Sequence, residues 1–135
     1  MVLQQQVWSS TLIRCIIPFA FHAILFGCGS QDYPQADSPS GAYSVSTSKS
    51  EKGLVSIHLS DAQGVELHEI ESSASDFIQW SIGWMPGEDI VVLQSSDIGP
   101  RAYDIIDNKL VERPDAYKDE SILNRAEELY SERYK

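Results

Sequence analysis

The sequence predicts a small, mostly β domain of the α+β class, an antiparallel meander of about seven short strands with one C-terminal amphipathic helix. Three observations carry that expectation. From Tyr43 to Glu112, short apolar runs are separated by Gly, Pro, Asp and Asn. Within them Ile78, Trp80, Ile82 and Trp84 alternate with Gln79, Ser81 and Gly83, a period of two. After Pro114 the apolar period lengthens to that of a helix.

Taken in order, a first strand around Val45 and Ser46 ends at the charged turn Ser50-Glu51-Lys52-Gly53. Leu54 to Ser60 and Val65 to Ile70 flank Asp61-Ala62-Gln63-Gly64, where Asp first and Gly last suit a type I turn, so the two runs form a hairpin. If Asp61 pairs with Val65, regular register places His58 opposite His68, with Glu66 on the same face. The tryptophan strand follows, then the turn Met85-Pro86-Gly87-Glu88. Ile90-Val91-Val92-Leu93 is apolar on both faces and belongs in the middle of a sheet covered on each side. Ala102 to Ile106 and Leu110 to Glu112 meet across Asp107-Asn108, residue types that tolerate left-handed backbone. In the final segment Ile122, Leu123, Ala126, Leu129 and Tyr130 share a helical face, with Asp119 and Ser121 as candidate caps.

The N-terminal part has another logic. Residues 15–26 are apolar apart from His22 and follow a single charge, Arg14. Twelve apolar residues fall short of the roughly 20 needed to span a bilayer and suit the core of an export signal. Directly behind them, Leu25-Phe26-Gly27-Cys28 resembles the lipobox of bacterial lipoproteins. That resemblance implies cleavage between Gly27 and Cys28, a diacylglyceryl group on the Cys28 thiol, and acylation of the new amine. Two or more acyl chains anchor a protein stably where one anchors marginally. Gly29, in place of the Asp associated with inner-membrane retention, favours the outer membrane and a periplasm-facing domain. The expected division is a signal peptide over 1–27, a lipidated cysteine and flexible Gly/Ser/Pro tether over 28–42, and a folded domain over 43–135. Such a tether would reach roughly 20 Å as a random coil. Cys15 leaves with the leader, so the mature part holds no pair for a disulfide.

All 20 acidic residues and nine of the ten basic ones lie after position 27, a net charge of −11 for that part. Nucleic acid is excluded as a partner, and attachment to anionic lipid has to be hydrophobic rather than electrostatic. A basic protein is the complementary partner.

Motifs for chemistry are few. Trp84 to Ile90, Ser95 to Gly99 and Tyr103 to Ile105 resemble one blade of the propeller repeats of exported bacterial proteins such as TolB, which implies local shape and no activity. The sequence holds no Gly-x-Ser-x-Gly elbow, no Gly-rich phosphate loop, and no thiol once Cys28 is acylated, so no catalytic residue and no cofactor are expected. Two imidazoles and a carboxylate, His58, His68 and Glu66, could take zinc or copper, though the same residues suit a solvated strand face. Trp80 and Trp84 either line a ligand groove or fill a core beneath the C-terminal helix. The resulting expectation is a lipid-anchored, non-enzymatic interaction module. Its alternatives are an immunity-type lipoprotein neutralising a basic toxin and a metal-binding or enzymatic protein using the histidines.

Overall fold

In the computed structural model, which describes residues 33–135, eight antiparallel strands form two four-stranded sheets. The first holds β1 (Gln35–Asp37), β2 (Tyr43–Lys49), β3 (Leu54–Asp61) and β4 (Glu66–Ser75). The second holds β5 (Trp80–Trp84), β6 (Ile90–Ser95), β7 (Gly99–Ile106) and β8 (Lys109–Glu112). Spatial order equals chain order in both, so each sheet is a meander. One 3-10 turn at Ala116–Lys118 leads into α1 (Glu120–Tyr134). The mostly β class with a C-terminal helix is thus as expected, with eight strands instead of seven.

The added strand corrects the tether. Gln35–Asp37 pairs with β2, Ala36 opposite Val45, and the turn behind it closes with Ser38 N–H donating to Tyr43 O at 2.8 Å. Tyr33 and Ala36 pack against the core. Three residues with one apolar member carry no readable period, and the surrounding Pro, Ser and Gly belong to a hairpin turn rather than to free coil.

Sheet two lies between two other layers. Val91 and Leu93 point into a core shared with sheet one, alongside Val45, Ile57, Leu59 and Tyr103. Val92 points the opposite way, toward Ala102, Ile122, Ala126 and Leu129. All three β6 residues are fully buried, as a run apolar on both faces requires. Trp80 and Trp84 join the core between the sheets, which corrects their expected place beneath the helix. What faces α1 from β5 includes Gly83, where an added Cβ would lie 2.5 Å from Leu129 Cδ2. Glycine lets the helix approach the sheet closely at that point.

Local signals agree with this frame. Asp107 and Asn108 adopt φ of 51° and 60°, the left-handed pair of a tight hairpin turn. Asp61 accepts from Gln63 N–H and Val65 N–H, both at 2.9 Å, and Gly64 takes the positive φ that ends the turn. Asp119 caps α1 by accepting from Ser121 N–H at 3.0 Å. Leu123, expected on the buried face, is instead partly exposed at the margin of the stripe.

Polar groups close the sheet edges. Along β5, Trp80 O accepts from Arg133 Nη1 (2.8 Å) and Tyr134 OH (2.7 Å), and Trp84 O accepts from Arg125 Nε (2.8 Å). Two further hydrogen bonds join the sheets: Trp84 Nε1–H donates to Ala36 O, and Leu110 N–H donates to His68 Nδ1, both at 3.0 Å. Between the sheets, Asp97 accepts from Ser75 N–H at 3.0 Å and from the Ser95 hydroxyl. Burial alone would raise the Asp97 carboxyl, but these hydrogen bonds, together with those from the backbone N–H groups of Asp97 and Ile98, outweigh it and hold the group below its ordinary value.

Two predictions follow from the packing. Gly83→Ala should cost about 1–3 kcal/mol by overpacking against Leu129, and in Leu129→Ala, itself costing about 2–5 kcal/mol, the glycine change should cost much less. Chemical denaturation of the two single variants and the double variant measures that coupling. Because the folded-state pKa of Asp97 is lowered, its stabilisation is present above the ordinary carboxylate range and is lost as pH falls through and below it. Asp97→Asn should therefore be less stable at neutral pH and show a shallower loss on acidification, measured by thermal melts across pH.

Candidate functional site

A cluster of metal-ligating side-chain types lies on the outer face of sheet one, and a β-bulge creates it. Near the turn, β3 and β4 pair as Ser60 with Glu66; one step further Leu59 faces His68, and His58 faces Glu69. Leu67 is the extra residue. In unbroken alternation His68 would share a face with His58 and Glu66, whereas the bulge turns His68 over and brings Glu69 round in its place. The predicted set His58, His68 and Glu66 is therefore corrected to His58, Glu66 and Glu69.

The two histidines consequently do different work. His68 sits opposite fully buried Leu59, and its Nδ1 accepts the Leu110 N–H at the β4–β8 edge. It is a structural group. His58 is half-buried, with Nδ1 paired to Glu66 Oε1, Nε2 at 2.7 Å from Ser48 Oγ, and Glu69 Oε1 at 3.9 Å from Nε2. A neutral imidazole with Nδ1–H donating to Glu66 and Nε2 accepting from Ser48 satisfies both ring nitrogens. One ligand atom from each of His58, Glu66 and Glu69 lies within 4.8 Å of the other two. A nitrogen and two carboxylate oxygens suit a zinc or copper ion that keeps part of its water shell. Glu69 escaped sequence reasoning because a bulge at Leu67 leaves no compositional mark.

The tryptophans offer no ligand groove. Trp80 is fully buried and Trp84 nearly so, filling the core between the sheets. A cleft of about 520 Å³ does open beside β5, lined by Tyr33, Pro34, Ile82, Leu129 and Arg133 among others. Its charged groups are committed to the fold: Arg133 donates to Trp80 O, and Glu132 pairs with Arg125. The chain matches no family model, no curated protein and no solved structure. Gly27 and Cys28, the expected cleavage and lipidation positions, lie outside the described residues. Among the described residues, no helix is long and apolar enough to cross a membrane.

The corrected ligand set has a direct consequence for metal affinity. In a calorimetric zinc titration, His58→Ala and Glu69→Gln should each weaken binding by about tenfold or more, and His68→Gln, whose amide oxygen can still accept the Leu110 N–H, should leave it unchanged. Equal losses for all three would restore His68 to the site.

Proposed function

We propose that this protein is a lipid-anchored, non-enzymatic binding module of a bacterial envelope, facing the periplasm from the outer membrane. The observation that carries the reading is the spacing between the lipobox and the fold. Cys28 is the last residue of Leu25-Phe26-Gly27-Cys28, and Tyr33, which packs on the core, is only five residues further on. Five residues span at most about 18 Å fully extended. A diacylglyceryl group on Cys28 would therefore hold a rigid domain beside the bilayer, where a flexible tether would have let it range.

The charge distribution supports the second half of the reading. With a net charge of −11 after position 27, the domain favours a basic protein partner and disfavours electrostatic adhesion to anionic lipid. Acyl chains overcome that repulsion, since each buried methylene contributes about 0.8 kcal/mol. A second reading, cation binding, is favoured by the convergence of His58, Glu66 and Glu69.

Metabolic labelling with palmitate tests the anchor. The wild-type chain should take up label and sediment with membranes, and Cys28→Ala should lose both properties. Undiminished labelling of the variant would contradict the proposal.

A further inference from the structure

The chain joins the described domain at one end of the sandwich. There Tyr33 OH donates to Asp76 Oδ2 (3.2 Å), the Tyr33 ring lies 6.3 Å from that of Trp80, and Thr47 Oγ1 donates to Pro34 O (3.3 Å). These contacts fix the start of the fold beside the 76–79 loop and the last residues of β2.

That same end has an unusual surface. Phe77 is 75% exposed, the most exposed of the large apolar side chains described, and its neighbour Ile78 is 37% exposed. Lys49 Nζ stands 3.9 Å from the centroid of the Phe77 ring, and Lys52 projects from the adjoining turn. Glu51, in the turn between the two lysines, is exposed, and the other acidic groups at this end are committed. Asp76 is buried and accepts from Tyr33, Asp97 accepts from Ser75 and Ser95, and Glu71 shares Lys52. An exposed aromatic flanked by lysines is the side-chain combination that suits the boundary between headgroups and acyl chains.

The opposite end also exposes apolar groups, Val65 and Ile106, and sets them beside Asp61, Glu66 and Asp107 with one cation, Lys109, paired across from Ile106. It lies a strand length away, roughly 23 Å for a seven-residue strand such as β2. A five-residue connection of at most about 18 Å cannot bring both ends to the membrane at once.

We infer that the end of the sandwich formed by Phe77, Ile78, Lys49 and Lys52 is a bilayer-contact face, seated at the headgroup boundary of the membrane that holds the anchor. The inference rests on the proposed lipidation of Cys28. The short connection selects which end meets the membrane, Phe77 and Ile78 supply apolar surface, and the two ammonium groups meet lipid phosphates. The end that carries Val65 and Ile106 then faces away from the membrane.

The full chain, expressed in a host that acylates lipoproteins, permits a direct test. With Cys28 acylated and Cys15 removed with the leader, Phe77→Cys or Val65→Cys provides a single free thiol for the same environment-sensitive fluorophore. Palmitate incorporation is scored first, and the labelled proteins are then reconstituted in phosphatidylethanolamine–phosphatidylglycerol vesicles carrying bromine in the acyl chains. Quenching at position 77 should exceed that at position 65 by about threefold or more, as expected for a site reaching the acyl boundary. Palmitate incorporation with equal quenching at the two positions would overturn the contact face alone. Absence of palmitate would overturn the anchor and the contact face with it.

Discussion

The second sheet has to be covered on both faces, and most of the architecture follows from that requirement. Val91 and Leu93 point one way from β6 and Val92 the other, and none of them is exposed to solvent. Burying one large aliphatic side chain is worth about 1.5–3 kcal/mol, so a run of this kind is stable only with a layer on each side. Sheet one supplies the first layer, with Val45, Ile57 and Leu59 meeting the tryptophans of β5. The C-terminal helix supplies the second, and Gly83 allows Leu129 to reach the backbone of β5. An edge strand beside such a sheet is a liability unless its carbonyls are occupied. Arg125, Arg133 and Tyr134 occupy those of Trp84 and Trp80, so one helix covers a face and closes an edge.

Much of this was legible in the residues themselves. Ile90 to Leu93 announced a central strand because apolarity on both faces leaves few alternatives, and Asp107-Asn108 announced a tight turn because few residue pairs tolerate two left-handed conformations in succession. The helix declared itself by a change of period, and its cap by Asp119. Features that depend on tertiary context were hidden. β1 is too short to show a period, and it is stabilised by partners distant in sequence, such as Trp84 donating to Ala36 O. The tryptophans left groove and core both open, and the strand pattern could not tell which layer they would face; the fold sets them in the core between the sheets.

The candidate site shows the same limit at the scale of one residue. His58 and His68 looked equivalent because alternation was the only rule available, and the extra residue at Leu67 separates their roles. One imidazole joins an exposed network with two glutamates, while the other takes a main-chain N–H at the meeting of the two sheets. The correction at β1 has wider consequences. It replaces part of the expected tether with a strand, so that the fold begins within a few residues of Cys28 in the sequence.

Hydrogen exchange on the full-length protein tests this central point most directly, because a strand and a tether differ most in amide protection. If the fold begins at β1, the Ser38 amide, which donates to Tyr43 O at 2.8 Å, should exchange slowly and together with the amides of β2. Exchange of residues 35–38 at the rate of unstructured chain, with β2 still protected, would contradict it.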